Sequence, residues 1–357
     1  QGVVIDAGGL HNNAFACSGS GPRVGVHLLD CDLSNSVRST FQVDNDGAEQ
    51  ISVINCNIDH GMGQSQGLSI RMHAPGGIPM EYLTIMGTYI TGGAGNHILD
   101  HAIYPSGYRY YDLLRWIRFG SPNGGGSFCI NYNCAQDGFG LDNKYMLTAG
   151  CDITGWRHGM DQSSGGDGWH SDLGRHRYHI IQGNAFHDFM DANGDALFGH
   201  NVAELTIRDN IFYGLKNSIT YHLADPNLDI RVYRNKGYAE LANSSDRMWR
   251  ICGRMALKNK SEDEPSVNVN VLGQHWYMFD NSWWLANGPP SSILEYLEGD
   301  MISGNLIFAD NYWSPAQTAP FEPMGGQNKT IQQWVAMFPG CTNIMPLWRD
   351  PQNGYFQ

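Results

Sequence analysis

The chain of 357 residues carries 44 Gly, only 16% charged residues and a formal net charge of −13. This composition indicates an ordered, turn-rich and β-rich protein rather than a helical or disordered one. The acidic balance, with no run of Lys or Arg, argues against nucleic acid and anionic membranes as partners. No apolar run approaches the roughly 18 residues of a membrane span and no leader-like segment opens the chain, so we expect a soluble protein.

In chain order, short runs with alternating apolar residues recur, and each run breaks at a small or polar residue before a second apolar pair. Examples are "VGVHLLDCDL", "ISVINCNI", "YLTIMGTYI", "YDLLRWIRF", "YMLTAGCDI", "YHIIQGNAF" and "LTIRDNIFY". The residues predicted for this shared turn position are Cys31, Cys56, Thr88, roughly Trp116, Cys151 or Asp152, Asn184, Asn210, Asn235, Asn281 and Asn311. The interval is 25 residues from Cys31 to Cys56 and 26 from Asn184 to Asn210, which indicates a repeat protein.

Unit length and residue pattern select the kind of repeat. Propeller blades need about 40 to 45 residues, and the chain has neither a leucine-rich frame nor a helical period. Period-2 alternation with β-branched and aromatic residues indicates short strands. A parallel β-helix remains, in which each unit is one coil and equivalent side chains stack about 4.8 Å apart. Asn in the turn position is expected to form an internal ladder, and Cys31 and Cys56 are expected to stack as free thiols rather than as a disulfide.

The turn segments "IIQGNAF", "TIRDNIF" and "IFADNYW", together with the final residues "PLWRDPQNGYFQ", resemble the right-handed parallel β-helix proteins of the pectin-lyase-like superfamily. The resemblance spans roughly residues 2 to 313 and the tail. It implies an all-β, single-stranded right-handed parallel β-helix (solenoid) of about ten coils, located outside the cell or on a virion. It also implies a polysaccharide as partner and a monomer or homotrimer as the assembly.

The predicted organisation is one solenoid over residues 1–313, interrupted by a charged and Pro-broken insert at about 256–275. Residues 314–357 are predicted to form a linker, one short helix within "KTIQQWVAMF" and a C-terminal cap. A cap is expected because a solenoid otherwise leaves unpaired strand edges.

The segment 158–201 concentrates His and Asp: seven of the 14 His lie in or beside it. We predict that "QDGFGLD", "GDGWHSD", "GDALFGH" and "NSITYHL" are neighbouring first strands of successive coils. Since alternate residues of a strand share a face, this arrangement places acidic and imidazole groups together on the outer face. The residues of this predicted patch are Asp137, Asp142, His170, Asp172, Asp195, His200 and His222.

One chemistry that suits the patch is β-elimination on a uronate polymer, which needs a base, a positive group on the carboxylate and an acid. His170 or His200 is the candidate base, and Arg175 or Arg177 the candidate positive group. The local Arg residues favour this lyase chemistry slightly over hydrolysis.

Glycoside hydrolysis is the second chemistry, and it needs two carboxyl groups on either side of the bond. Asp142, Asp172 and Asp195 are the candidates. No cofactor is certain, although Asp161 and Asp167 are candidate ligands for Ca²⁺, which would then replace Arg in lyase chemistry.

A different class of function is a non-catalytic β-helix that binds glycan or builds a surface, filament or phage appendage. Trp156, with Arg157, would then supply a stacking platform and hydrogen bonds, and each outward Asp or His has a plain solvated surface role as its alternative. The catalytic motifs of polygalacturonases and pectate lyases are not found in the sequence. The site residues therefore depend on the predicted face and on the clustering alone.

Overall fold

The computed structural model describes the chain in segments. These are residues 2–8, 11–19, 25–45, 48–59, 68–73, 80–91, 101–106, 109–120, 128–134, 143–156, 158–164, 176–189, 195–200, 202–215, 219–222, 229–240, 247–251, 254–257, 267–270, 275–286, 292–314, 319–324, 326–343 and 348–356. Within them the chain forms an all-β parallel solenoid, as the repeat pattern predicts, with three long parallel sheets.

Each coil supplies strands to the three sheets in a fixed order. The first sheet contains Asn13–Gly19, Ser39–Asn45, Leu68–His73, His101–Ser106, Phe128–Cys134, His158–Ser164, Leu197–His200, Ile219–His222, Arg247–Ile251, Ser292–Leu297 and Phe321–Met324. The second sheet contains Val26–Leu29, Ile51–Ile54, Met80–Glu81, Thr84–Met86, Arg109–Tyr110, Leu113–Arg115, Asn143–Ala149, His176–Gln182, Val202–Arg208, Asp229–Tyr233, His275–Phe279 and Leu306–Ala309. The third sheet contains Val4–Asp6, Asp32–Ser34, Asn57–Asp59, Tyr89–Thr91, Arg118–Phe119, Asp152–Thr154, Ala185–His187, Ile211–Leu215, Lys236–Ala239, Ser282–Leu285 and Tyr312–Ser314.

The core lies inside the coils, where alternate residues of each strand point inward. In the third sheet, Phe186 pairs in register with Phe212 of the next coil, and their rings stack with centroids 5.0 Å apart. Both side chains are fully buried. Stacking of like residues on like positions is therefore how the repeat becomes a continuous apolar interior.

The turn between the second and third sheets contains the predicted Asn ladder. The side-chain amide of Asn184 donates to the side-chain oxygen of Asn210 at 3.0 Å, and the same contact continues to the later Asn residues at 2.9 to 3.0 Å. Each Asn amide also donates to a carbonyl of the preceding coil, for example Asn210 to Ile181 at 3.0 Å. The ladder ends at Cys341, whose sulfur lies 3.8 Å from the Asn311 amide nitrogen.

One residue of the predicted ladder was wrong. The buried position of that coil is held by Ile117, whereas Trp116 precedes it with φ of 54° and is exposed. The left-handed turn places Trp116 outside the coil because the residue before the buried position points away from the core. In the coil that follows, Cys151 rather than Asp152 holds the buried position.

The cysteines of the ladder are free thiols, as predicted. Cys31 and Cys56 are buried and unbridged, and each sulfur donates to a backbone carbonyl. Burial raises the pKa of Cys56, since desolvation penalises the thiolate. These thiols therefore act as small core residues rather than as reactive groups.

Two additions break the repeat. An antiparallel hairpin pairs Arg254–Leu257 with Val267–Asn270, in the region of the predicted insert. The helices are α1 at Glu298–Ile302 and α2 at Ile331–Met337, and α2 begins with a capping box between Thr330 and Gln333. No helix among the described residues has the length and apolarity that crossing a membrane requires.

Helix α2 covers the end of the core. Its Trp334 is fully buried and stacks on Phe321 at 4.1 Å between centroids. The same ring contacts Phe308 at 4.9 Å and Tyr296 at 5.3 Å. Helix α2 thereby shields from water the aromatic side chains at the end of the last coil.

Candidate functional site

Most of the predicted site residues lie outside the part of the chain that the structure describes. They are Asp137, Asp142, Arg157, Asp167, His170, Asp172 and Arg175. For three more, Asp161, His200 and His222, the backbone is placed in first-sheet strands and the side chain is not described. Those roles therefore stay predictions.

Two of the four predicted first strands are described, and both lie in the first sheet. Leu197–His200 and Ile219–His222 are first-sheet neighbours, and His200 pairs in register with His222. In the two preceding coils, however, the strands are Phe128–Cys134 and His158–Ser164 rather than "QDGFGLD" and "GDGWHSD". The latter two segments, which contain Asp142, His170 and Asp172, lie outside the described residues.

The His residues of this segment whose side chains are described do not form one patch, because they are divided among all three sheets. His158 lies at the start of a first-sheet strand, stacked on Phe128 at 4.6 Å, and its Nδ1 accepts from the backbone N–H of Asp195 at 3.0 Å. His176 and His179 lie in the core. His187 lies on the third sheet.

His179 is a core residue with polar partners. Its imidazole contacts the Gln162 side-chain amide and, at 3.1 Å, the Thr148 hydroxyl. Desolvation lowers the pKa of His179 to about 3, so the ring is neutral near pH 7. His179 and Gln162 have no exposed surface and cannot serve a ligand outside the coil.

The structure describes the side chains of two predicted substrate-binding residues, Trp156 and Arg177. Trp156 is 0% exposed, and its indole donates to the Gly120 carbonyl at 3.0 Å, so the predicted stacking platform is wrong. Arg177 lies on the second sheet, where its guanidinium donates to Glu204 at 3.4 Å. It supports a surface that the sequence did not single out.

That surface is a column of four tyrosines on the outer second sheet, which we call the tyrosine ladder: Tyr82, Tyr111, Tyr145 and Tyr178. Successive rings stack with centroids 5.1 Å apart and planes within 10°. Their exposed fractions are 47, 45, 49 and 43%. All four have φ between 57° and 65°, a left-handed conformation that Tyr rarely adopts and that turns each ring outward beside its strand.

A hollow of about 310 Å³ opens at the Tyr178 end of the ladder. The residues with exposed surface around it are Tyr178, Ile180, Glu204, Thr206, Asp229 and Arg231. Within the described residues, the ring contacts of Tyr178 are confined to Tyr145 on one side. An aromatic ring, hydrogen-bonding groups and an open concavity therefore meet at this point, as in many ligand sites.

The polar groups of the hollow are arranged in ion pairs. Asp229 accepts two hydrogen bonds from Arg231, at 2.8 and 3.2 Å. Glu204 Oε1 accepts from Arg177, whereas its Oε2 is buried without a hydrogen-bond partner among the described residues. The Glu204 side chain as a whole is 33% exposed, so a ligand that donates a hydrogen bond can approach it from the hollow.

The tyrosine ladder had a signal in the sequence. In "YLTIM", "YDLLR", "YMLTA" and "YHIIQ" a Tyr opens the repeated motif of the coil. The sequence alone does not give the register between strands, which is needed to align these Tyr residues in one column. In the structure Leu113 pairs with Leu147, and each of them lies two residues after a ladder Tyr.

The third sheet carries a separate ionic cluster around His187. Its Nε2 donates to Asp152 at 2.7 Å and its Nδ1 to Asp188 at 2.9 Å, so both nitrogens carry protons. Burial alone would lower the pKa of His187, but the two carboxylates raise it above its ordinary value, and the His187 hydrogen bond lowers the pKa of Asp152. The imidazole also stacks on Tyr213 at 4.4 Å.

A larger hollow of about 380 Å³ lies where the C-terminal tail meets the third sheet. Its charged groups are paired within the chain: Arg234 donates twice to Asp209, and Lys236 donates to the Phe356 carbonyl at 2.9 Å. These contacts seat the tail, and we do not assign this hollow to a ligand.

Among the described residues, no three His, Cys, Asp or Glu side chains are grouped to hold a metal ion. The predicted Ca²⁺ ligands Asp161 and Asp167 lie outside the described side chains. Comparison of the chain with protein-family models, curated proteins and solved structures finds no match.

Proposed function

We propose that this protein is an extracellular β-solenoid that binds a polysaccharide chain along the tyrosine ladder, with one sugar ring seated in the hollow beside Tyr178. The observation that carries the proposal is the hollow itself, where an exposed aromatic ring adjoins Glu204, Asp229 and Arg231. A sugar presents an apolar C–H face to an aromatic ring and hydroxyl groups to the charged side chains. Both kinds of contact are available here.

The elongated form of the site supports a polymer rather than a small molecule. Four rings at 5.1 Å intervals give a stripe parallel to the solenoid axis. Half-buried apolar side chains, Leu113, Leu147 and Ile180, lie two residues beyond the ladder on the same outer face. A linear chain can contact several coils at once, and its weak contacts add.

The test is binding of length-matched oligosaccharides to the purified chain by calorimetry, comparing Tyr178→Ala with the wild type. Tyr312, which is 39% exposed on the third sheet, provides the matched control as Tyr312→Ala. Loss of one stacking contact is expected to weaken binding about tenfold in Tyr178→Ala and not in the control. Absence of binding to a broad panel, or equal losses in both variants, would contradict the proposal.

Cleavage of the bound polymer is a second candidate function, because His200 and His222 hold paired positions on adjacent first-sheet strands. We propose His200 as the base, acting in β-elimination if the bound polymer carries uronates and in hydrolysis if it is neutral. The test measures unsaturated-product absorbance and reducing ends together in the wild type and in His200→Ala. The control is His27→Ala, which changes an exposed His in a second-sheet strand distant in sequence from His200. Product that persists in His200→Ala would exclude this role for His200.

A further inference from the structure

The column of the tyrosine ladder continues beyond Tyr178 as two carboxylates. The pairs Arg177 with Ala203 and His179 with Leu205 place Tyr178 opposite Glu204. Glu204 has φ of 49°, the same left-handed conformation as the tyrosines. The position one coil further, beside Ile230, is Asp229.

The residues of this column therefore change from aromatic to acidic where the hollow begins. On one side of the hollow is an aromatic ring, and on the other are Glu204 and Asp229 in neighbouring coils. Strands of neighbouring coils are about 4.8 Å apart, so a sugar ring stacked on Tyr178 comes within hydrogen-bond reach of these carboxylates.

The positive groups at the hollow are already engaged. Arg231 gives two of its N–H groups to Asp229, and Arg177 donates to Glu204. Each arginine is paired with a carboxylate of this chain, so a carboxylate brought by a ligand would have to compete with that pair. The side chains of Glu204 and Asp229 are 33 and 41% exposed, so both keep acceptor capacity toward a ligand.

We infer that the hollow selects a neutral glycan, whose hydroxyl groups donate to Glu204 and Asp229, and rejects polyuronates. The inference rests on the proposed function. A uronate carboxylate would face two like charges at short range, in a protein of net charge −13. A hydroxyl donor, in contrast, forms a charge-assisted hydrogen bond with the exposed part of either carboxylate.

The experiment compares a neutral oligosaccharide and a uronate oligosaccharide of equal length, by calorimetry at physiological ionic strength, on the full chain. The variants are Glu204→Gln and, as the control for net charge, Asp280→Asn, which removes an exposed carboxylate from a turn where Asn also tolerates the left-handed φ of 53°. Circular dichroism and thermal unfolding check that both variants are folded.

The wild type is expected to bind the neutral oligosaccharide at least tenfold more tightly than the uronate. Glu204→Gln is expected to reduce this preference for the neutral oligosaccharide several-fold, whereas Asp280→Asn is expected to leave the preference unchanged. Equal or tighter binding of the uronate would overturn the inference and leave the proposed binding function standing. Absence of binding to both ligands would overturn the two together.

Discussion

Asn210 donates from its side-chain amide to the side-chain oxygen of Asn235, one coil further along the solenoid, at 3.0 Å. The same oxygen accepts the backbone N–H of Asn210 at 3.1 Å, and the second amide hydrogen of Asn210 reaches the Ile181 carbonyl in the preceding coil. Each ladder Asn thus connects three coils while leaving no amide hydrogen unused. This arrangement explains why a polar residue lies fully buried in the turn.

We predict that Asn210→Ala lowers the free energy of unfolding by about 3 kcal/mol, because it removes two buried hydrogen bonds and leaves the amide groups of Asn184 without their acceptor. Urea unfolding measures the change. Asn353→Ala, at an exposed turn with one side-chain hydrogen bond, is the control and is expected to cost under about 0.5 kcal/mol. Equal costs would show that the ladder is not a stabilising element.

A second prediction separates stacking from burial within the tyrosine ladder. Tyr145 stacks on two neighbours and Tyr82 on one, although their exposed fractions are 49 and 47%. Tyr145→Ala is therefore expected to lower the free energy of unfolding by about 1 to 3 kcal/mol, and Tyr82→Ala by about half as much. Thermal unfolding of the two variants gives the comparison, and equal losses would mean that stacking contributes nothing.

The fold was predictable because its determinants repeat. Every coil shows the apolar alternation and a small or polar turn residue, so the Asn ladder, the free thiols of Cys31 and Cys56, and the parallel sheets follow from spacing. Trp116 misled the prediction because its coil uses Ile117, an apolar residue, in a position that other coils fill with Cys, Thr or Asn.

The site was harder to predict because one first-sheet strand does not look like a strand. The run "HGMDQSS" contains a Gly, an Asp and a core Gln whose partner is His179, so tertiary contact rather than alternation fixes its place. The prediction chose "GDGWHSD", with His170 and Asp172, as the first strand instead, and that segment lies outside the described residues. The tyrosine ladder was missed for the converse reason: its residues have a conformation that propensity rules disfavour in strands.

A third prediction concerns the imidazolium of His187. Because Asp152 and Asp188 raise the pKa of His187, folding takes up a proton and the resulting stabilisation is complete below the unfolded pKa of about 6.5. It is lost as the pH rises through the folded pKa of His187. On the acid side, the lowered pKa of Asp152 means that its contribution is lost as the pH falls through that folded value.

The measurement is the free energy of unfolding between pH 6 and 9. His187→Gln is expected to flatten the decline with rising pH, whereas Tyr213→Leu, which removes the stacked ring and keeps the carboxylates, is expected to keep it. An unchanged slope in His187→Gln would show that another group controls the alkaline limb.

The fourth prediction has the opposite sign, because His179 is buried as a neutral ring. Desolvation lowers the pKa of His179 to about 3, and the same cause lowers the pKa of His101 to about 3. Between about pH 6.5 and 3 the unfolded chain therefore binds protons that the folded chain does not bind. The free energy of unfolding decreases as the pH is lowered across this window. Each such group contributes a slope of up to about 1.4 kcal/mol per pH unit.

His179→Gln removes one of these two groups and retains an amide that can contact Gln162 and Thr148. The variant is expected to start less stable at pH 7 and to lose less stability on acidification, so that its curve approaches that of the wild type near pH 4. The exposed His27, changed to Gln, is expected to leave the slope unaltered. Parallel curves for His179→Gln and the wild type would contradict the prediction, since a neutral buried imidazole cannot be absent without changing proton uptake on unfolding.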